Sequence, residues 1–282
     1  MTFHYNMSAD TYHSHKANGS GDISKALNNI TEYWMCKYGD YQREDTQALK
    51  IGRAFHVLLL ENDKFNTMYQ VCPYDDKRTK AYKEWLENCD KSIEVISNKE
   101  YEEINDLYLK AMSSNHVREL LEHERVHKEA SFFADIDGIP CKARTDIIRF
   151  ISDDEVIIVD PKTMYKPLNK RNIENAIVEN NYHIQQAHYE LVLRENGLKI
   201  VDYLFWCFSK DKFSDVCLVK NNAILMDQAY EDHKKGINKI KRYQDKYGTK
   251  TKWKEIVEEV YHASVPQWAF YKYQGEENEN NI

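Results

Sequence analysis

The feature that most constrains the fold of this 282-residue chain is a short apolar run that ends in an acidic residue. Residues 156–160 read VIIVD, so four apolar side chains precede Asp160. A strand that is apolar on both faces has to be covered on both faces, which predicts a central strand in a sheet flanked by helices. A solvated carboxylate is not expected at the end of such a strand.

The residues on either side of this run predict further strands. Residues 129–134 and 139–150 are predicted strands, and the Asp-Gly that ends residues 135–138 indicates a hairpin turn between them. A second turn at 152–154 leads into the apolar run. Residues 200–208 predict one more strand. The expected fold is therefore α/β, with a small mixed sheet flanked by helices.

Several segments around this core have helical spacing of apolar residues. Residues 46–61 predict a helix that Asp45 or Thr46 can cap. Residues 78–90 and 99–123 predict two more. After the apolar run, a pair of helices is expected to break near Asn180, and the second to stop at Gly197. Residues 1–45 are predicted to be irregular, with one short helix at 23–29.

Domain organisation follows from the absence of repeats and of linkers rich in Pro or Gly. We predict one domain at 1–274, with its core at about 125–210, and a disordered acidic tail at 275–282. The longest apolar run, 54–60, is far shorter than the ~18 residues that a membrane span needs. The first ten residues lack a signal-peptide core, so a cytoplasmic protein without membrane contact is expected.

Cysteine and charge patterns narrow the classes of function. None of the six cysteines forms a Cys-x-x-Cys pair, which argues against a zinc ribbon or an iron–sulfur cluster and favours reduced, buried thiols. The net charge of −7 is unlike that of a protein that coats nucleic acid. Two stretches, 162–171 and 234–254, are nevertheless basic. A solvated helix face is the commoner explanation of such a run, and local binding of DNA is the alternative.

Chemistry is indicated by three residues near the predicted strand ends. If strands 139–150 and 156–160 pair through the turn between them, Asp146 and Asp160 come close together. Adjacent carboxylates repel unless a cation lies between them, and oxygen ligands favour Mg²⁺ or Mn²⁺. Lys162, two residues beyond Asp160, points to the same face and could orient or deprotonate an attacking water. The alternative for Asp160 and Lys162 alone is a surface salt bridge.

The spacing Asp146…Asp160-Pro161-Lys162 resembles the catalytic motif of the PDDEXK nucleases, which implies their restriction-endonuclease-like core. Further segments resemble those of the RecE-type (exonuclease VIII-like) phage exonucleases. In chain order they are YHS at 12–14, residues 20–27, GRAFH at 52–56 followed by LLLE at 58–61, Glu129 with CKARTD at 141–146, YHIQQAHY at 182–189, and PQW at 266–268. The resemblance covers roughly residues 7–270.

This resemblance implies metal ligands and catalytic residues. It assigns the metals to Asp146 and Asp160 together with the carbonyl of Pro161, and it assigns the attacking water to Lys162. The remaining roles fall on a metal-binding His56, on Glu129 as a ligand of metal or water, and on Gln185 and Tyr189 facing the site. Two ions per site are possible, and Mn²⁺ is expected to substitute for Mg²⁺.

Contacts with DNA are predicted in the basic stretch after the motif and near the start of the chain. The predicted DNA-binding residues are Lys166, Lys170, Arg171, Arg53, Lys25 and Ser20.

Without the resemblance, simpler explanations exist for several of these residues. His56 lies among apolar residues and would be read as a hydrogen-bonded core histidine. Gln185 and Tyr189 are four apart, which places them on one helix face where packing is the common role. Glu129 alone is an ordinary acid at a strand edge. Pro161 departs from the usual apolar residue of the motif and removes a backbone donor, although its carbonyl is retained.

The function that the resemblance implies is Mg²⁺-dependent digestion of linear double-stranded DNA in a bacterial host. It implies 5′→3′ polarity, 3′ single strands for an annealing protein, and a ring-shaped homo-oligomer around the DNA. One alternative is a repair nuclease domain like that of RecB. The other is a catalytically dead DNA-binding scaffold.

Overall fold

The structure is a computed structural model that describes residues 3–5, 7–41, 45–74, 76, 78–211 and 216–255. The strands in this part of the chain are β1 (Phe3–His4), β2 (Tyr69–Cys72), β3 (Glu94–Ser97), β4 (Val126–Ile136), β5 (Ile139–Phe150), β6 (Glu155–Met164), β7 (Lys199–Ser209) and β8 (Val216–Val219). The helices are α1 (Ala9–Ser14), α2 (Ser20–Asn28), α3 (Ile30–Lys37), α4 (Gln47–Leu60), α5 (Asn62–Met68), α6 (Lys80–Glu87), α7 (Asn98–Ser113), α8 (Asn115–Glu122), α9 (Lys170–Glu179), α10 (Tyr182–Glu195) and α11 (Ala223–Tyr247).

A six-stranded mixed sheet forms the centre, in the order β1-β4-β5-β6-β7-β8. Strands β4, β5 and β6 form an antiparallel meander, whereas β6 and β7 pair in parallel and β8 returns antiparallel to β7. A parallel connection needs a crossover, and α9 and α10 supply it between β6 and β7. The predicted α/β fold with a small mixed sheet is confirmed.

The apolar run in β6 is covered on both faces, as its sequence predicts. Val156 and Ile158 face the layer that contains α2, α10 and α11, and each is fully buried there. Val159 faces the opposite layer, which contains α4 and α7, and is 3% exposed. Successive side chains of a strand point to opposite faces, so one run of four apolar residues joins both cores.

Local signals in the sequence agree with several boundaries. The Thr46 side chain caps α4 by accepting from the backbone N–H of Leu49. Asp137 and Gly138, with φ of 53° and 85°, form the tight turn between β4 and β5. The predicted helix at 99–123 is in fact two, because the chain leaves the helical conformation at Ser114 between α7 and α8.

The prediction of irregular structure in residues 1–45 is wrong. This region contains β1 and three helices, and Ile23, Ala26, Ile30 and Tyr33 are fully buried against the layer of α10 and α11. Each helix is six to nine residues long and buries only one or two residues. A signal that short is too weak to predict from periodicity alone.

Other predictions concern the whole chain. The six cysteines are free thiols, and of the burial that was expected for them only Cys72, Cys141 and Cys207 show it. Searched over the described residues, the helices include none with the length and apolar content to cross a bilayer. The motif at 266–268 and the tail at 275–282 lie outside the described residues, and the single domain at 1–274 stays a prediction.

Gly236 allows α11 to lie unusually close to α2, and this contact gives a test of the packing. A Cβ at Gly236 would lie 2.6 Å from Cγ2 of Ile23, whereas a Cβ at Gly21 would meet only the Lys25 ammonium at 4.0 Å. Ala is normally better than Gly in a helix by about 1 kcal/mol. We predict that Gly236→Ala destabilises by about 1–2 kcal/mol through overpacking, whereas Gly21→Ala is neutral or stabilising. Urea unfolding measures both, and a Gly236→Ala protein as stable as the wild type would contradict the packing.

Two buried histidines join α10 to α11. Nε2 of His188 donates to the carbonyl of Lys142 at 2.9 Å, because a carbonyl can only accept. Nδ1 of His188 therefore accepts from Nε2 of His233, also at 2.9 Å. Burial lowers the pKa of His188 to about 4, and burial with the neighbouring His188 lowers the pKa of His233 to about 3. Both rings are neutral in the folded protein at pH 7.

This pair predicts a loss of stability in acid. Between pH 6.5 and about 4 the unfolded chain binds protons that the folded chain does not, so the free energy of unfolding falls as pH falls. The slope is up to about 1.4 kcal/mol per pH unit for each histidine. His233→Gln keeps an amide donor for His188 but does not titrate. The variant should lose less stability between pH 7 and pH 5 than the wild type, and equal losses in urea titrations would contradict the assignment.

Candidate active site

Two carboxylates face each other where β5 and β6 separate. The antiparallel ladder between these strands ends at Ile147 and Val159. Continuing the same register would place Asp146 opposite Asp160, beyond the last backbone pair. Burial, then Asp160 and then Glu129 raise the pKa of Asp146 well above its usual range. The strands therefore diverge at the position where two acidic side chains are brought together.

Asp160 is almost completely buried and is held from several sides. Its Oδ2 accepts from Nε2 of Gln185 at 3.0 Å and from the hydroxyl of Tyr203 at 2.8 Å. Its Oδ1 lies 2.7 Å from Nζ of Lys162. Apart from this ion pair, Oδ1 is buried and makes no hydrogen bond within the described residues. A buried carboxylate oxygen in this condition is suited to a cation.

Lys162 lies over the carboxylates and under an aromatic ring. Its ammonium is 4.8 Å from the ring centroid of Tyr182, which itself stacks on Phe205. Burial lowers the pKa of Lys162, but Asp160 and Asp146 outweigh burial and leave that pKa raised. Lys162 is thus a charged donor in this arrangement. A cation held by the same carboxylates would oppose their raising of the Lys162 pKa.

His56, Glu129 and Asp146 form a cluster whose ligand atoms lie within 4.8 Å of one another. Nε2 of His56 donates to the carbonyl of Pro161 at 2.9 Å, which leaves the lone pair on Nδ1. Nδ1 lies 3.5 Å from Oδ2 of Asp146. Two ligand atoms that bind the same ion at ~2.1 Å lie about 3–4 Å from each other, so the spacing of Nδ1 and Oδ2 suits a shared cation.

The protonation state of His56 also suits a ligand. Burial, followed by the charge of Lys162, lowers the pKa of His56 to about 4. The ring is therefore neutral at pH 7 and has a lone pair to offer. A ligating histidine commonly donates its other N–H to a backbone carbonyl, as His56 does to Pro161. The predicted ligand role of the Pro161 carbonyl stays a prediction, since one of its lone pairs serves His56.

Glu129 reaches the cluster through an unusual backbone conformation. Its φ is 56°, in the left-handed region that few residues other than Gly adopt. On either side the β4–β5 ladder is regular, pairing Lys128 with Ile147 and Ala130 with Thr145. Glu129 itself is outside the ladder, opposite Asp146. Strain of this kind is typical of functional positions, where the surrounding structure holds the residue in place.

The basic residues of the CKARTD segment hold the start of the chain. Nζ of Lys142 donates to the carbonyls of Tyr12 and His15, at 2.6 and 2.8 Å. Arg144 forms an ion pair with Glu129 and donates to the carbonyl of Met7 at 3.2 Å. These cations therefore position the N-terminal segment and a cluster carboxylate, a role that the sequence alone did not indicate.

A cleft of about 760 Å³ opens onto the cluster and separates the predicted DNA-binding residues into two groups. Arg53 and Lys166 are among its lining residues. Lys170 instead lines a larger groove of about 980 Å³, between α9, β8 and α11, that contains none of the site residues. Arg171 is exposed on α9, and Ser20 and Lys25 lie on α2, none of the three among the cleft-lining residues of the described chain.

Many lysines of the second basic stretch have partners within the protein. Lys235 pairs with Asp232 at 2.8 Å, and Lys239 pairs with Glu255 at 2.7 Å. Lys241 donates to the carbonyl of Asp137 at 3.0 Å. This stretch lies on α11 and the residues after it, away from the cleft lining, which favours the solvated-face explanation for it.

Some residues of the site were not predicted from the sequence. Tyr203 binds Asp160, and Tyr182 covers Lys162. Phe205 of β7 pairs with Asp160 of β6. Tyr203 lies two positions before Phe205 and therefore on the same face of the sheet as Asp160. Its signal was the alternation of aromatic residues in a strand parallel to the motif strand, which can be interpreted only once the strand order is known. Tyr189, by contrast, was predicted to face the site and is 9% exposed in the cleft lining.

A solved structure shares this fold. A crystal structure of a protein from Eubacterium rectale, described as a "putative exonuclease", matches with a TM-score of 0.63. The match covers 94% of this chain and 98% of that chain at 13% sequence identity. A crystal structure of the protein SSO0001 covers 76% of this chain and 84% of its own at 12% identity, but its TM-score of 0.28 is too low to support a conclusion. A search of curated proteins finds no match.

A family model extends the comparison to sequence. The model described as "PDDEXK-like domain of unknown function (DUF3799)" matches residues 25–252, which is most of the chain. The match spans α4, the meander of β4, β5 and β6, and α10, and so it includes every residue of the cluster. It does not distinguish the RecE type from other PDDEXK nucleases. The protein belongs to the PDDEXK-like domain family DUF3799.

Proposed function

We propose that this protein is a divalent-metal-dependent exonuclease that digests linear double-stranded DNA, in the manner of the RecE-type enzymes that its motifs resemble. The observation that carries the proposal is the placement of Asp146 opposite Asp160, with Lys162 on Asp160 and the neutral His56 beside Asp146. Carboxylates and an imidazole converging in one cleft, next to a lysine, suit hydrolysis of a phosphodiester.

The residues present fit a divalent cation. His56, Glu129, Asp146 and Asp160 would hold it, with Mg²⁺ as the proposed ion and Mn²⁺ as a substitute. When bound, the ion would lower the pKa of an attacking water and neutralise charge that builds on the phosphate. The raised pKa of Asp146 supports the assignment, because a carboxyl crowded by Asp160 and Glu129 gains most from a nearby cation. Two ions per site are part of the proposal.

The protein's own groups position the reactants. Gln185 and Tyr203 fix one oxygen of Asp160, and its other oxygen contacts the Lys162 ammonium. The Lys162 ammonium can donate to the attacking water or to a phosphate oxygen, and the Tyr182 ring limits where that ammonium can move. A simple surface salt bridge between Asp160 and Lys162 would not need these additional buried contacts.

The alternatives differ in what they require. A catalytically dead scaffold has no need for a strained Glu129 or for a buried Asp160 oxygen without a hydrogen bond. A RecB-like repair nuclease would share the same centre, and its polarity on linear duplex would separate it from the RecE type. The proposed partners are ends of double-stranded DNA, a single-strand annealing protein that takes the 3′ strand, and further copies of this chain in a ring.

Digestion of end-labelled duplex tests the proposal. We expect wild-type protein to release nucleotides from linear DNA with Mg²⁺ and to stop with EDTA. Asp160→Asn and Lys162→Met should each lower the rate by at least about 100-fold, the scale on which a single preorganised electrostatic group acts. Asp202→Asn, which changes a half-buried aspartate of the same sheet that pairs with Lys220, is the matched control. Near wild-type cleavage by either site variant would refute the assignment, and binding to DNA in Ca²⁺ would show that the variants are folded.

Thermal unfolding tests the metal site without cleavage. A cation that binds only the folded state at 100 times its Kd stabilises by about 2.7 kcal/mol, so Mn²⁺ should raise the Tm of the wild type. Asp146→Asn should raise the Tm in EDTA, because it removes a charge that Asp160 and Glu129 repel, and should abolish the gain from Mn²⁺. His56→Ala should reduce that gain. A core histidine would instead give a lower Tm in EDTA with the Mn²⁺ gain preserved.

A further inference from the structure

The strand that carries the catalytic motif continues into an exposed aromatic residue. Beyond Lys162, β6 ends at Met164, and the next residue, Tyr165, has 57% of its surface exposed although it lines the cleft. Lys166 follows it and is also exposed in that lining. An aromatic residue next to a basic one, in a cleft that holds a candidate phosphodiester centre, is the combination that binds a nucleic-acid strand without regard to sequence.

One face of the Tyr165 ring is occupied by a buried cation. Nζ of Lys210 lies 4.1 Å from the ring centroid, and only 4% of the Lys210 side chain is exposed. Within the described residues this ammonium makes no hydrogen bond, and its ion pair with Glu103 is at 3.4 Å. The Tyr165 ring is therefore a principal partner of the buried Lys210 ammonium. A cation–π contact is stronger when the cation is shielded from water in this way.

The support under the ring is rigid. The backbone N–H of Lys210 donates to the carbonyl of Met164 at 2.8 Å, which ties the end of β7 to the end of β6. Nζ of Lys110, on α7, donates to the carbonyls of Ser209 and Asp211 at 3.2 and 2.9 Å. A large exposed ring is normally free to change rotamer, but this one is fixed by a cation that is itself fixed by the sheet. Little conformational entropy is left to lose when a ligand contacts it.

We propose that Tyr165 is a stacking platform for one DNA base next to the scissile phosphate, with Lys166 contacting the adjoining phosphate. The inference rests on the proposed nuclease function and adds to it a specific contact with the substrate. Tyr165 is three residue steps beyond Lys162, or about 10 Å of extended chain at ~3.3 Å per residue. That distance is about three base steps of ~3.4 Å, so the stacked base belongs within the first few nucleotides beside the cleaved bond.

An abasic scan tests the platform by a measurement of binding. The probes are a short duplex and a set in which one of the last four nucleotides of either strand lacks its base, with affinities measured in Ca²⁺ so that cleavage does not interfere. Stacking of a base on an aromatic ring contributes ~1–3 kcal/mol, so removal of the stacked base should weaken wild-type binding at least about fivefold at one position. Tyr165→Phe keeps the ring and should keep this penalty. Tyr165→Ala should bind the intact duplex at least about fivefold more weakly and show no further penalty at that position.

A fluorescent base gives an independent reading. With 2-aminopurine at the sensitive position, wild type and Tyr165→Phe should quench the emission on binding, whereas Tyr165→Ala should not. The inference is overturned if the wild type has no sensitive position, if Tyr165→Ala keeps the wild-type penalty, or if Tyr165→Ala changes only the oligomeric state. Those results leave the nuclease proposal standing when the wild type digests the duplex with Mg²⁺. A wild type that neither digests nor binds DNA would overturn both.

Discussion

The repulsion between Asp146 and Asp160 is the constraint on which the rest of the centre depends. Two carboxylates that face each other across separating strands are unfavourable unless positive charge or hydrogen-bond donors surround them. The fold supplies Lys162 from the same strand as Asp160, and Gln185 and Tyr203 from the neighbouring helix and strand. The residues around the pair therefore offset the repulsion and hold the two acids facing each other.

The sequence predicted the part of this arrangement that depends on neighbours along the chain. The apolar run in β6, the Asp-Gly turn and the break near Asn180 each have a local physical cause, and they locate the meander and the pair α9–α10. The motif residues Asp146, Asp160 and Lys162 follow from that meander, because hairpin register alone places the two acids opposite each other. The proposal that His56 is a ligand rests on the family resemblance and on its place in the cluster, since an isolated helical histidine among apolar residues carries no signal of a ligand.

What could not be predicted depends on contacts between distant parts of the chain. Tyr203 reaches Asp160 only because β7 pairs in parallel with β6, and strand order is not encoded in either strand. The short helices α2 and α3 are stabilised by burial in the core that they share with α10 and α11, and not by their own periodicity. The left-handed conformation of Glu129 has no local sequence signal at all, because it is imposed by the structure around the residue.

The anchoring of the N-terminal segment by β5 has a consequence for the order of folding. Lys142 binds the carbonyl of Tyr12 across 130 residues of chain, and Arg144 binds that of Met7 across 137. Contacts this distant in sequence form late, because the loop must close before they stabilise anything. During synthesis the N-terminal segment that contains Met7 and Tyr12 therefore lacks these contacts until β5 has been made. Arg144 also forms an ion pair with Glu129. We therefore expect the docking of the N-terminal segment on β5 and the completion of the cluster to occur together, late in folding. The N-terminal segment and β4 should then gain hydrogen-exchange protection together.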